Sequence, residues 1–235
     1  MKLFNGFEHK WENTGTERTR PRYAVKGRSG FFYKSGFNID ADGSPRAFNP
    51  ISSKGLDDLE YAGHRGNWWG ILTNNGETSG RPVVQGKHDP APGFYISPTA
   101  LEDTTKREND PRRYVNAERV PYIVLTGTKQ QYLNAKFGDY AVVYNSQNGK
   151  WAYAMCGDEW PQIKIGEGSI ALAKRLGIPA NPRDGGVDDG VWFLIFPGSR
   201  TKPWRAEEPV SVTDANAAKA FQKWGGIAQL RALAK

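Results

Sequence analysis

Two carboxylates on either side of a short loop are the residues best placed for chemistry. Residues 154–178 read AMCGDEWPQIKIGEGSIALAKRLGI, with Asp158 after a strand-like run and Glu167 before a helix-like one. Cleavage of a glycosidic bond commonly uses two such groups, an acid that protonates the leaving oxygen and a base that activates water. Because carboxylates are also common in turns and at helix starts, their spacing alone leaves both interpretations open.

The local surroundings of the two carboxylates favour different protonation states. Glu167 precedes a predicted helix, and the positive end of a helix dipole stabilises an anion, which suits a base. Asp158 lies two residues from Trp160. An apolar neighbour that removes water raises the pKa of a carboxyl group, which suits an acid.

Tryptophans in probable loops are candidate platforms for a sugar ring. The sequence contains eight tryptophans, and Trp68, Trp69 and Trp160 fall in loop-like segments. A flat indole face can pack on the apolar face of a sugar while its N–H finds a polar partner. Trp151 and Trp192 lie in alternating strand-like runs, so we expect these two in the core instead.

The sequence contains no complete motif for binding a metal or a cofactor. Asp40-Ala41-Asp42-Gly43 resembles the start of a calcium loop, but its glycine comes two positions early and no glutamate stands at loop position 12, so a turn is predicted. The three histidines lack zinc-site spacing. The sequence has no GxGxxG after a strand, no GxxxxGK[ST] and no GxSxG. We therefore expect neither a metal nor a cofactor.

Short strands cut by turns must position these residues. Val, Ile, Tyr, Phe and Trp are enriched in seven runs, as is typical of strands. These are GFFYKSGFNID, PVVQG, GFYIS, VPYIVLTG, DYAVVYN, KWAYAMCG and GVWFLIFPG. Asp42-Gly43 predicts a tight turn, and NSQNGK predicts a hairpin loop between two alternating runs.

Helices are expected to be few and peripheral. SIALAKRLGI places Ile170, Ala173 and Leu176 on one face, with Gly177 as a C-terminal stop. The alanine- and lysine-rich tail predicts one or two amphipathic helices. The residues thus indicate a β-barrel or sandwich over 31–200, preceded by a basic arm over 1–30 and followed by a helical appendage over 201–235.

Composition indicates a soluble globular protein of 235 residues, with 38% hydrophobic and 24% charged residues. No apolar run is long enough for a membrane span, and the N-terminus lacks the apolar core of a secretory signal. The single cysteine, Cys156, excludes an internal disulfide and is expected to be a small buried hydrophobe. We expect a monomer.

The charge balance favours anionic partners. The formal net charge is +7, with a basic cluster at Arg18, Arg20, Arg22, Lys26 and Arg28. Such a balance suits nucleic acid, a membrane surface or an anionic cell wall. No nucleic-acid motif accompanies the cluster, so nucleic acid is not expected.

Several blocks over residues 31 to 199 resemble glycoside hydrolase family 75, the fungal and bacterial endo-chitosanases. They are FYKSGFNIDADGSPRAFNP, GNWWGI, PVVQG, DPAPGFYISPTAL, VNAERVPYIVL, GDYAVVYN, GDEWPQIKIGEGSIALAKRLGI and VWFLIFPGS. The resemblance implies that Asp158 and Glu167 are the catalytic pair. It also implies a double-psi β-barrel, an inverting mechanism without a cofactor, and cleft positions for Asp40, Asp42 and Lys34.

The polymer itself is left open between two interpretations. Chitosan is a polycation near and below neutral pH, and a chain of net charge +7 would repel it at long range. A related barrel that degrades anionic peptidoglycan, as a phage lysin or antibacterial effector, is the alternative. A non-catalytic carbohydrate-binding module is a third, less favoured one. Secretion, or release by a non-standard route, is expected for any of them.

Overall fold

The computed structural model describes residues 28–126, 134–160 and 165–234, together with the backbone of four short strands nearer the N-terminus. The predicted basic cluster therefore lies mostly outside the described side chains, with Arg28 as its described member. Within the described residues, no helix is long and apolar enough to cross a membrane.

The described part of the chain contains twelve strands and three α-helices. The strands are β1 Lys2–Leu3, β2 His9–Trp11, β3 Arg18–Arg20, β4 Tyr23–Ala24, β5 Phe31–Asp40, β6 Gly63–His64, β7 Asn67–Trp68, β8 Tyr122–Thr126, β9 Tyr140–Asn145, β10 Trp151–Trp160, β11 Glu167–Ser169 and β12 Val187–Ile195. The helices are α1 Ile170–Leu176, α2 Val210–Trp224 and α3 Gly226–Leu233. Short 3-10 helices cover Ser52–Lys54, Leu59–Ala62 and Pro111–Arg113.

Six strands close into a barrel in the order β5-β11-β8-β10-β9-β12, and β12 returns to β5. The pairs β5–β11 and β8–β10 are parallel, whereas the other four pairs are antiparallel. Strands β4 and β1 extend the sheet from the start of β5. The prediction of a mainly β fold with a barrel and a few helices is confirmed.

Period-two alternation in β5 separates the barrel interior from its outer face. Phe31, Tyr33 and Phe37 point into the main core, where the rings of Tyr33 and Phe37 stack on Phe193 of β12. Phe32 points outward and packs in a second cluster beneath α2. Strand β5 is thus buried on both faces near its start, which explains its continuous aromatic run.

Helix α2 covers the outer face of the barrel with side chains at helical spacing. Ala217, Phe221 and Trp224 are buried in the cluster that contains Phe32 and Trp192. The ring of Phe32 lies 6.1 Å from that of Trp224 in an edge-to-face arrangement. The two predicted tail helices are confirmed, and their function in the fold is to exclude water from the barrel's aromatic exterior.

Helix α1 begins and ends where the sequence predicts. The Ser169 hydroxyl accepts a hydrogen bond from the Leu172 N–H at the helix start. It also donates to the Val120 carbonyl, which ties the helix to the segment before β8. Gly177 adopts the left-handed conformation at the C-terminus (φ 64°), as a glycine stop requires.

Two of the predicted strands are wrong. PVVQG and GFYIS form isolated bridges, at Pro82, Val84 and Tyr95, rather than continuous strands. The two runs exchange backbone hydrogen bonds, such as Gln85 N–H to Phe94 and Ile96 N–H to Val83, but their pairing stays at single bridges and Gly93 takes a positive φ of 87°. Cys156, by contrast, is fully buried and free, as predicted.

The predicted Asp42-Gly43 turn is confirmed and leaves no space for a side chain. Gly43 has a φ of 72°, and a Cβ added there would lie 2.0 Å from the Val115 carbonyl oxygen. Gly149, in the confirmed β9–β10 hairpin, has a similar φ of 76° but open space around its Cβ position. The two glycines therefore share a backbone requirement and differ in their surroundings.

We predict that Gly43→Ala destabilises the protein more than Gly149→Ala. Gly149→Ala should cost about 1–2 kcal/mol of unfolding free energy, the strain of a left-handed alanine. Gly43→Ala adds a steric clash of roughly 1–3 kcal/mol. Urea unfolding of both variants measures the difference. Equal losses would mean that the contact with Val115 is not limiting.

Candidate active site

Three carboxylates converge near the ends of two barrel strands. Asp40 ends β5, Asp42 follows two residues later, and Asp158 lies close to the end of β10. One oxygen from each carboxylate lies within 4.8 Å of those of the other two. The structure thus brings Asp158 next to two aspartates that precede it by more than a hundred positions in the sequence.

Parallel pairing places Glu167 beside the same strand end. Strand β11 runs alongside β5, with Glu167 opposite Asn38 and Ser169 opposite Asp40. Glu167 is half-buried, and its charge contributes to raising the pKa of both Asp42 and Asp158. The two predicted catalytic carboxylates therefore lie in one electrostatic environment.

A β-bulge sets the direction of Asp158. The register between β10 and β8 shifts between Cys156 and Asp158, so Gly157 is the extra residue. A Cβ on Gly157 would lie 2.5 Å from the Tyr122 side chain, which leaves room for glycine alone. Bulges commonly re-aim a side chain next to a functional site. This one turns the chain at the position where Asp158 joins the cluster.

Backbone and hydroxyl donors fix each carboxylate. The N–H groups of Ala100 and Glu159 both donate to Asp158 Oδ1 at 2.8 Å. Ser97 Oγ donates to Asp42 Oδ1 at 2.8 Å, and the Asp42 N–H donates to Asp40 at 2.7 Å. With these donors in place, the carboxyl groups keep their positions despite mutual repulsion.

Burial is the main cause of the raised pKa values in the cluster. Asp158 is only 7% exposed, and burial raises its pKa well above the ordinary value; the charges of Asp40 and Glu167 add to this, and the two N–H donors oppose it. Burial also raises the pKa of Asp42, followed by the charges of Asp40 and Asp158. Because like charges this close cannot all ionise, the cluster retains protons above the usual range of a carboxylic acid.

Tyr122 lies beneath the cluster and takes part in it. Its hydroxyl donates to the Asp42 carbonyl at 2.9 Å, and burial together with the charges of Asp40 and Asp158 raises its pKa well above the ordinary value. The phenol therefore stays protonated and remains a hydrogen-bond donor throughout the working pH range of a carboxyl pair.

An open cleft of about 560 Å³ gives access to the carboxylates. Its lining residues are Asp42, Trp69, Gly70, Pro98, Thr99, Ala100, Asp158, Glu159 and Trp160. Trp69 is 47% exposed, and its indole N–H is held by the Tyr61 carbonyl at 3.0 Å. A cleft with acidic groups and exposed indole faces can bind a sugar through its hydroxyls and apolar faces together.

The other predicted site residues occupy different places. Trp68 is buried and packs against Tyr95 at 6.1 Å between ring centroids, outside the cleft lining. Lys34 lies on β5 and forms an ion pair with Asp189 at 3.0 Å. Of the predicted tryptophans, Trp69 and Trp160 therefore line the cleft.

Four residues of the site escaped the sequence reasoning. Ser97, Ala100, Tyr122 and Glu159 hold the carboxylates or line the cleft, and all four lie in blocks that resemble the family, but the resemblance assigned no role to any of them. Ser97 ends a predicted strand that does not form, Ala100 follows it, and Tyr122 has the sequence context of an ordinary core aromatic. The one available signal was Glu159, next to Asp158.

The same three aspartates have the donor chemistry for a cation. Carboxylate oxygens are the ligands that Ca²⁺ and Mg²⁺ prefer, and oxygens of Asp40, Asp42 and Asp158 lie close enough to share one ion. Asp42 and Gly43 themselves form a turn, as predicted from the incomplete calcium-loop pattern. The expectation that no metal takes part stays a prediction.

Residues 75–226 match the family described as fungal chitosanase of glycosyl hydrolase group 75. The chain belongs to this family. No curated protein sequence matches it. The match confirms the family resemblance of the sequence and identifies a chitosanase-like glycoside hydrolase, whose substrate is a polysaccharide. It includes Asp158, Trp160 and Glu167, whereas Asp40, Asp42, Lys34, Trp68 and Trp69 precede it.

We predict that Asp158→Asn stabilises the hydrolase at neutral pH and much less in acid. Because the folded-state pKa of Asp158 is raised, the folded protein holds a proton that the unfolded chain releases. Stability therefore falls as pH rises from about 4 through the raised pKa, by about 1.4 kcal/mol for each pKa unit of elevation. The amide carries no such penalty.

Unfolding free energies at pH 4 and pH 7.5 test this prediction. The gain from Asp158→Asn should be larger at pH 7.5. Glu159→Gln is the matched control, because Glu159 is the exposed neighbour of Asp158 and lines the same cleft. A gain of equal size at both pH values would contradict the linkage.

Proposed function

We propose that this chain is an endo-acting hydrolase that cleaves β-1,4 bonds in chitosan, with Asp158 as general acid and Glu167 as general base. One observation carries the assignment. Asp158 is a buried carboxyl with a raised pKa at the wall of an open cleft, and Glu167 is half-buried within electrostatic reach of it. A protonated acid beside a second, more exposed carboxylate is the division of labour that glycoside hydrolysis needs.

The reaction follows from these two groups. Asp158 donates its proton to the glycosidic oxygen as the bond from that oxygen to the anomeric carbon breaks. Glu167 accepts a proton from a water molecule, whose oxygen attacks the anomeric carbon from the opposite face. In an inverting enzyme the two carboxyl groups stand about 6.5–9.5 Å apart to admit that water, and no covalent intermediate forms.

The topology supports a double-psi type of barrel. The closed sheet has six strands, and two of its six pairings, β5–β11 and β8–β10, are parallel. We propose that residues 31–200 form the catalytic barrel, that 1–30 are a basic arm and that 201–235 are a helical appendage packed on the outer face. We propose that the protein acts as a monomer.

Local charge supports a cationic polymer despite the overall balance. Chitosan carries an ammonium group on each deacetylated sugar, and Asp40, Asp42, Asp158 and Glu167 form an acidic group at the cleft. At contact distance, partly desolvated charges outweigh distant ones that salt screens. Trp69 and Trp160 supply indole surface on which the sugar rings rest.

Peptidoglycan is the second candidate polymer, and the net charge of +7 is the observation that favours it. It has β-1,4-linked amino sugars but is anionic, so a basic protein would be attracted to it. A non-catalytic carbohydrate-binding role is the least favoured reading, because a binding module has no need for a buried, protonated carboxyl group.

We predict that Asp158→Asn and Glu167→Gln each lower kcat by about 10²–10⁴, the usual contribution of a general acid or base. Binding of chitosan oligosaccharides should persist, since both substitutions preserve shape. Initial rates of reducing-end release and calorimetric titration measure the two quantities. Near wild-type turnover in either variant would remove that residue from the mechanism.

We predict that the wild-type enzyme releases reducing ends from chitosan and that the first product has the α configuration. Chitin and peptidoglycan are offered in parallel, with anomeric proton NMR of early products. Release from peptidoglycan alone would replace the proposed substrate but keep the hydrolase. An early β product would contradict inversion, and release from none of the polymers would favour the binding module.

A further inference from the structure

A second cleft, lined by basic groups, lies away from the acidic one. It encloses about 1050 Å³ between α2, the segment after β12 and the segment before β5. Its lining includes Arg28, Arg200, Lys202, Lys219 and Lys223, with Glu208 as the acidic member. We call it the basic cleft. It shares no residue with the acidic cleft.

The two clefts are associated with opposite ends of strand β5. The acidic cluster forms where β5 ends at Asp40, whereas the basic cleft is lined by Arg28 and Ser29, just before β5 begins at Phe31. A strand of this length spans up to roughly 30 Å. A ligand in the basic cleft would therefore leave the catalytic carboxylates free.

Arg200 and Glu208 neutralise each other and build the wall. The Arg200 guanidinium donates to both carboxylate oxygens of Glu208, at 2.8 and 3.2 Å, and its side chain is only 6% exposed. It also lies over the Tyr140 ring at 5.8 Å. This pair fixes the segment after β12 against the barrel and contributes little net charge to the cleft.

The lysines of the cleft are exposed and form no ion pair with the described part of the chain. Within the described residues, no carboxylate lies within 4.0 Å of the ammonium groups of Lys202, Lys219 or Lys223. All three side chains belong to exposed residues. Arg28 joins them at the edge, where its guanidinium donates to the Lys223 carbonyl at 2.7 Å. The cleft thus presents a concentration of uncompensated positive charge.

Helix α2 presents these cations in a row. Val212, Asn216, Lys219 and Lys223 follow a spacing of four, three and four residues, which places them on one face of the helix. Lys219 and Lys223 are one turn apart, so their stems leave the helix on the same side. A linear polyanion laid along the cleft would meet both.

The chemistry of the walls favours an anionic polysaccharide over a nucleic acid. The aromatic residues of the cleft, Tyr140, Phe196 and Trp224, are each less than one-tenth exposed, so they offer no open face on which bases could stack. What remains accessible is charge together with polar side chains such as Asn216 and Thr201. Ammonium, amide and hydroxyl groups recognise carboxylates and sugar hydroxyls.

We propose that the basic cleft is a non-catalytic binding site for an anionic polysaccharide. Such a site would hold the enzyme on a composite wall or matrix while the acidic cleft acts on a different, amino-sugar polymer. It gives a function to part of the positive charge of a protein whose proposed substrate is cationic. The proposal does not depend on the identity of that substrate.

The test measures binding of the whole protein to polygalacturonate oligosaccharides, with a neutral glucose polymer and oligothymidylate as comparison ligands. Polygalacturonate should bind, and its binding should weaken as the salt concentration is raised, because anion contacts release counterions. Lys219→Gln with Lys223→Gln should weaken binding roughly ten-fold or more, as loss of two charge contacts predicts. Hydrolysis should be unchanged.

The matched control is Lys54→Gln with Lys87→Gln, two exposed lysines outside both clefts that remove the same net charge. It should change affinity less than about two-fold, since distant charges are screened. An equal loss in this control would reduce the effect to overall charge and overturn the proposal. Tighter binding of oligothymidylate, with the same loss in the cleft variant, would also overturn it.

Discussion

The close approach of Asp40, Asp42 and Asp158 is the constraint on which the rest of the structure depends. Three carboxyl groups within 4.8 Å, two of them less than one-tenth exposed, repel one another whenever more than one is ionised. A flexible chain would separate them. The barrel prevents this because Asp40 ends β5, which is hydrogen-bonded to β11 and β12, and Asp158 lies in β10, which is hydrogen-bonded to β8 and β9. Closure of the sheet thus holds the carboxylates together against their mutual repulsion.

The same constraint explains why glycines surround the site. Gly157 forms the bulge beside Asp158 and packs against Tyr122, and Gly43 follows Asp42 against the Val115 carbonyl. Both are places where the backbone has to approach another part of the chain closely. A side chain at either position would push apart the segments that carry the carboxylates. The glycines therefore allow the carboxylates to come close together, although neither glycine carries a functional group.

Local signals predicted most of the larger elements but neither the short strand β11 nor the way the strands assemble. Alternation and the NSQNGK turn predicted β9 and β10, and Gly177 predicted the end of α1, because each depends on neighbours in the sequence. β11 is three residues long and contains two small ones, so it has no hydrophobic pattern to detect. Yet β11 joins β5 to β8 and places Glu167 beside the strand that ends at Asp40, an arrangement that only the family resemblance indicated.

Functional side chains of the candidate site were predictable from the sequence, whereas the groups that hold them in place were not. Asp158, Glu167 and Trp160 were singled out from one continuous block, and Trp69 from its loop. Ser97 and Ala100 contribute a hydroxyl and a backbone N–H to carboxylates more than fifty residues away in the chain. Any residue type with an N–H could provide the second of these contacts. Such donors are therefore chosen by three-dimensional position, which residue identity does not reveal.

The distribution of charge reconciles a basic protein with an acidic site. The net charge of +7 describes the whole surface, whereas a polymer in contact with the enzyme experiences the few groups within a Debye length, about 8–10 Å in physiological salt. Near Asp158 those groups are carboxylates, and near Lys219 and Lys223 they are ammonium groups that have no acidic partner among the described residues. Helix α2 makes this separation possible, because one face covers the barrel's aromatic exterior while another carries the lysines. The charge beside each cleft, rather than the total alone, therefore determines which polymer that cleft attracts.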